Sequence, residues 1–244
     1  MATGVNQQQS LIKAQLISRA YKHMGVAAIN VGDADLTQGL TFLRNEASKG
    51  LPLISANLID PASKLPIFSP YTVKKIGKIR IALFGLASPV KNQAIHHPAE
   101  NTFIVRDPVK SARKTFKMLH RKADVIILLS NLDAKSEREV IRAVPGIHFV
   151  LGGREGRFIE TPLWEGHTPI LESYKKGMYA GTLHLTFVKA SSPFQYEVTG
   201  ERLHGLEHSN VSNRFSWTLV PLHALLPEDR KISSWIQKSG IKKD

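Results

Sequence analysis

The chain has 244 residues, 42% hydrophobic and 22% charged, the balance of a folded protein and not of a disordered or fibrous one. Its 33 Lys and Arg against 20 Asp and Glu leave a formal charge of +13, which favours anionic partners such as phosphate esters, nucleic acid or acidic membrane surfaces. The absence of cysteine excludes disulfides, thiolate zinc sites, iron–sulfur clusters and cysteine nucleophiles.

In chain order, Ile12, Leu16, Ala20 and Met24 recur on one face of a helix over Gln8 to Met24, which Gly25 closes. Val26 to Val31 reads as a short buried strand, Gly32 to Asp35 as a turn, and Leu36, Leu40, Leu43 and Ala47 as the apolar stripe of a second helix. Gly50 ends that helix and Leu51 to Leu58 reads as another strand, completing a β-α-β unit of the kind that builds parallel sheets. Tyr71 to Ile76 and Ile79 to Phe84 form a hairpin closed at Gly77, its second arm apolar enough to be central. Ala87 to Pro108 is irregular, the pattern of a long surface loop.

A helix follows from Pro108, burying Val109, Ala112, Phe116 and Leu119 and turning Lys110, Arg113, Lys114, Lys117 and Arg121 outward. Val125 to Leu129 is the clearest buried strand, and a short helix with Val140, Ile141 and Val144 leads to another strand over His148 to Leu151. Beyond this point the pattern becomes all-β, with strands over Pro169 to Ser173, Gly181 to Lys189 and Tyr196 to Leu203, before a final helix near Glu228 to Gln237. No run approaches the roughly 20 apolar residues of a membrane span. Met1 to Ser10 shows no basic-then-apolar leader pattern. No repeat or linker divides residues 1–244, so a single domain is expected.

Three strand-to-loop junctions end in small or polar residues: Asn30 to Asp35, Leu129 to Asp133, and Leu151 to Gly156. In an α/β sheet such ends converge on one crevice. Their order resembles that of the calcineurin-like metallophosphoesterases, specifically the 5′-nucleotidase and UDP-sugar hydrolase family. Leu53-Ile54-Ser55-Ala56-Asn57-Leu58, Pro66 to Tyr71, Ile81 to Leu86, Val144-Pro145-Gly146-Ile147 and Tyr179 to Leu183 carry the same resemblance. It implies an α/β sandwich of mixed sheets flanked by helices. This chain then lacks the family's first strands and is incomplete at the N-terminus. A sheet edge truncated in that way calls for a missing segment or a protein partner to cover it.

The resemblance also implies what the site should contain: two divalent metals that generate hydroxide and clamp phosphate. The Asp-x-His and Gly-Asp motifs of the first strands have no counterpart here. Where the family has Gly-Asn-His followed by an acid, this chain reads Gly32-Asp33-Ala34-Asp35. Asn131 stands where a His follows Ser or Thr, and Gly153-Arg154-Glu155-Gly156 replaces Gly-His-x-His. No imidazole survives and one is replaced by a guanidinium. The expectation is therefore no metal, no cofactor and no catalytic residue, with Asp33, Asp35, Asn131 and Arg154 as degenerate motif positions and candidate anion-binding residues. The function implied is a non-catalytic scaffold, or a module in which Arg154 and strand-end amides hold a phosphate ester or nucleotide. The alternative is an active phosphoesterase using Asp33, Asp35 and Asp133, completed by upstream residues or a partner.

Read without the family, Asp33 and Asp35 are ordinary N-cap and first-turn residues, Ser130 and Asn131 turn residues, and Arg154 and Arg157 solvated cations. His96-His97-Pro98 lies in a loop, and adjacent histidines in an extended segment face opposite ways. The basic face from Lys110 to Arg121 is the best candidate for a partner surface, against the ordinary reading of a solvated helix flank, and no signature of specific nucleic-acid recognition accompanies it. The family's members are usually exported; relatives with a similarly altered site can carry a cysteine-rich haem region, which this cysteine-free chain cannot supply.

Overall fold

The computed structural model describes residues 4–89, 102–189, 192–197 and 212–241; His96, His97 and residues 198–203 of the expected strand lie outside them. A six-stranded mixed sheet forms the centre, in the order β4 (Tyr71–Ile76), β5 (Ile79–Ala87), β7 (Val125–Asn131), β8 (Phe149–Gly152), β10 (Thr168–Glu172) and β9 (Leu163–Glu165). Strands β5, β7, β8 and β10 run parallel, with antiparallel β4 and β9 on the two edges.

Alternation along β7 explains the layering, because successive side chains of a strand face opposite ways. Ile126 and Leu128 enter one core with Leu119 of α3 (Pro108–Leu119) and Val140 and Ile141 of α4 (Ala134–Ala143). Val125 and Ile127 enter another, against Phe194, Phe215 and Trp217 of a second sheet, ordered β11 (Tyr179–Thr186), β13 (Asn213–Pro221), β12 (Phe194–Tyr196). The expected sandwich of mixed sheets with flanking helices is the architecture found.

Local chemistry sets the helix starts. Asp107, Asp133 and Asp229 cap α3, α4 and α5 (Arg230–Lys238), their carboxylates accepting N–H bonds from Lys110, Ser136 and both Lys231 and Ile232. Pro108 at the first position of α3 adds a fixed φ and no orphan donor. The first helix, α1 (Gly4–His23), ends at Gly25, which takes a positive φ of 66°.

Several expected elements are shorter or divided. The strand over Val26 to Val31 contracts to β1 (Ile29–Asn30), which among the described residues pairs only with β2 (Leu53–Ile54). The helix after it is broken at Gly39, φ 84°, into a 3-10 turn (Asp35–Gln38) and α2 (Leu40–Ser48). The strand over Leu51 to Leu58 becomes β2 and β3 (Leu58–Ile59), and β3 pairs with β6 (Ile104–Val105), a strand inside the expected loop.

Asn57 is the reason for the division. Its buried amide accepts from Ala87 N–H at 2.8 Å and donates to the Ala87 carbonyl at 2.7 Å and the Arg106 carbonyl at 3.1 Å. A side chain thus satisfies a main-chain edge that a continuous strand would have used. Asn57→Ala would leave that buried N–H and C=O without partners, a loss of about 2–4 kcal/mol. Urea unfolding of the variant should show it as a lower midpoint at unchanged slope.

Candidate functional site

The three polar junctions meet at the C-terminal ends of β1, β7 and β8. Register places Ser130 of β7 beside Gly152 of β8, and Gly153 N–H donates to the Ser130 carbonyl at 3.0 Å. Gly32, just past β1, approaches Asn131 so closely that a Cβ there would lie 2.8 Å from the Asn131 amide nitrogen. The absence of a side chain at Gly32 is what lets the two strand ends close on each other.

Arg154 crosses this junction. Its Nη1 donates to Asp33 Oδ2 at 2.7 Å and lies 3.4 Å from Asn131 Oδ1, which also receives Asp33 N–H at 3.4 Å. Both ion-pair side chains are 32% exposed, so the pair is open to solvent and to an incoming anion. The two residues are 121 positions apart in sequence, one following β1 of the two-stranded sheet and the other β8 of the six-stranded sheet. The ordinary readings of Asp33 as a helix cap and of Arg154 as a solvated cation are corrected: the fold brings each a partner of opposite charge.

Asp35 does not join them. The residue is exposed as a whole, but its carboxyl turns back to accept Gly32 N–H at 2.8 Å. Burial of that carboxyl raises its pKa above the usual aspartate value; the Gly32 bond opposes this and the Asp33 charge adds to it. Asp133 is the N-cap of α4, and the Ser136 N–H bond holds its carboxyl below the ordinary value against partial burial. It is thereby committed to helix capping. Among the described residues no group of three or more Asp, Glu or His is arranged to hold a metal ion.

The strand-end amides expected to hold an anion are already committed. Gly32 N–H serves Asp35, Asp33 N–H serves Asn131, Ala34 N–H serves Asp33 at 3.2 Å and Gly153 N–H serves Ser130. What remains open to an approaching ligand is the partly exposed Arg154 guanidinium.

Behind Arg154 lies a buried ionic group that the sequence reading did not anticipate. Arg157 donates to Glu137 Oε2 at 3.0 Å and to Glu172 Oε2 at 2.7 Å, while Gly156 N–H donates to Glu172 Oε1 at 2.6 Å. Both glutamate side chains are 1% exposed. Gly152 borders the group, since a Cβ there would lie 3.2 Å from each glutamate carboxylate. The segment carrying Arg154 is therefore anchored at Arg157 on one side and at β8 on the other. A signal was present: Glu137 shares a helical face with Val140, Ile141 and Val144, and Glu172 ends the apolar run Ile170-Leu171.

Comparison with known proteins bears on the fold. No protein-family model matches the chain. It is 27% identical over 139 residues to the uncharacterized metallophosphoesterase YunD of Bacillus subtilis, a match over 55% of this chain and 29% of that protein. Its fold superposes on the sulfate thiohydrolase SoxB of Thermus thermophilus, in complex with glycerol, with a TM-score of 0.76 at 16% identity, covering 97% of this chain and 40% of the other. It also matches a 5′-nucleotidase precursor of Thermus thermophilus, with a TM-score of 0.69 at 20% identity over 93% of this chain and 45% of the other. In sequence and in fold the chain is similar to calcineurin-like metallophosphoesterases of the 5′-nucleotidase type. It spans 29% of the curated relative's length and less than half of either structure. No helix among the described residues is long and apolar enough to cross a membrane.

Proposed function

We propose that this chain is a metallophosphatase-like domain that binds a phosphate ester, such as a nucleotide, at Arg154 without hydrolysing it. The observation that carries the reading is the Arg154–Asp33 ion pair at 2.7 Å on the crevice where three strand ends meet. A divalent cation brought to Asp33 would sit against a guanidinium that already neutralises the carboxylate, so the residues present do not fit a two-metal centre. The one cationic donor suits the opposite charge. A guanidinium presents a planar fork matched to two phosphate oxygens. The nucleotidase among the structural neighbours supports a nucleotide as the ester.

Asp33 then acts as an internal competitor. An incoming phosphate must share or displace it, and displacement of a partly exposed pair in water costs only about 0.5–1 kcal/mol. Asp33→Asn keeps the shape and removes the charge, so inorganic phosphate and nucleoside monophosphate should bind about two- to fivefold more tightly by calorimetry. Arg154→Ala should abolish binding. Weaker binding by Asp33→Asn, or unchanged binding by Arg154→Ala, would refute the reading.

A further inference from the structure

Apart from Asp33, Asn131 and Arg154, a groove of about 580 Å³ lies between α3 and the segment following β3. Its floor is aliphatic and aromatic: Ile59 and Phe68 are 1% and 6% exposed, with Ile67 and Met118 half-buried beside them. Cations line the groove with them: Arg106, Lys110 and Lys114. Lys110 and Lys114 stand one helical turn apart on α3, where like charges repel. None of the residues lining the groove is acidic. Among the described residues no carboxylate pairs with these three cations; Arg106 spends one N–H on the neutral Lys64 carbonyl at 2.9 Å. Asp107, the nearest acid in sequence, is committed to capping α3.

Apolar walls open to water together with uncompensated positive charge define a ligand with both features. The volume falls within the usual range for a small-molecule site, about 300–1,000 Å³. We propose that the groove binds a monomeric single-chain aliphatic phosphate, its chain along Ile59, Ile67, Phe68 and Met118 and its phosphate across Arg106, Lys110 and Lys114. The phosphate is favoured because three cations address one head group, more than a monovalent carboxylate would neutralise. This does not rest on the reading of Arg154.

The test is calorimetric titration of the intact chain with dodecyl phosphate below its micelle concentration. Saturable binding is expected, with inorganic phosphate and dodecanol each at least tenfold weaker because each offers half of the ligand. Lys110→Gln/Lys114→Gln, two exposed substitutions, should weaken dodecyl phosphate at least tenfold with an unchanged melting temperature. Met118→Glu should weaken it from the apolar side. Arg154→Ala removes any phosphate bound at the strand-end site and should leave the groove's own binding of dodecyl phosphate, and its loss in the lysine variant, in place, which separates the two sites. Equal affinity for inorganic phosphate or for dodecanol, indifference to the lysine substitutions, or binding only to vesicles of anionic lipid would overturn the proposal.

Discussion

Arg157→Ala is expected to lose about 3–5 kcal/mol of folding stability, the cost of leaving buried carboxylates without their cation. Arg157 is the one guanidinium bonded to both Glu137 and Glu172, each 1% exposed in its side chain. The loss should depend on pH. Burial raises the Glu137 pKa, with the Glu172 charge adding to the effect and the Arg157 bond opposing it. A raised acid pKa means that the folded chain keeps a proton the unfolded chain has released. Ionising Glu137 therefore subtracts stability as the pH rises through its folded pKa. Without Arg157 that pKa moves further up, so the variant's deficit is greatest near neutrality and shrinks toward about pH 4 as Glu137 takes up its proton. Urea unfolding of both proteins at the two pH values measures this. A deficit under about 1 kcal/mol, or one independent of pH, would show that the buried group is not held together by charge.

Trp217→Ala should cost a similar amount for a different reason, about 3–5 kcal/mol from lost apolar burial and the cavity left behind. Trp217 is 5% exposed in the core between the two sheets, with Val125, Ile127, Phe149 and Leu171. Its ring fills the space over Gly181 on β11, where even a methyl group would overlap it, and its indole N–H donates to the Ile159 carbonyl at 2.8 Å. Truncation removes both the volume and that bond. Trp217→Phe retains most of the ring and should lose substantially less. For a chain of this length each kcal/mol corresponds to about 2–4 °C in Tm, so thermal melting resolves the two variants. Equal losses would mean that the hydrogen bond outweighs the packing.

What could be read in the sequence was local. The run Val125 to Leu129 ending at Ser130-Asn131, and the glycines at 25, 50 and 77, marked the strand ends and turns correctly because those signals lie within a few residues. Asp107-Pro108 likewise announced α3. Elements whose limits depend on distant partners were misjudged. Asn57 divides a strand because Ala87 and Arg106 come to it in space. Strand β13 was overlooked although Phe215, Trp217 and Leu219 alternate along it, because polar neighbours dilute the pattern and its partner β11 lies far upstream. The site divides in the same way. The positions of Asp33, Asn131 and Arg154 followed from motif order, whereas their direct bonding, and the retreat of Asp35 into its own turn, needed the fold.

We propose that Arg154, paired with Asp33, serves binding in place of metal-dependent turnover. On this reading the Arg154–Asp33 pair provides no hydroxide. Loss of metal-bound hydroxide removes most of an acceleration that for phosphate monoesters can approach about 10²¹-fold. The most direct measurement is the release of inorganic phosphate from nucleoside monophosphates by the purified chain with added manganese. The account predicts no release above the buffer control, with the nucleotide recovered intact. Sustained release that disappears in Asp33→Ala would contradict it and make this chain a working phosphoesterase.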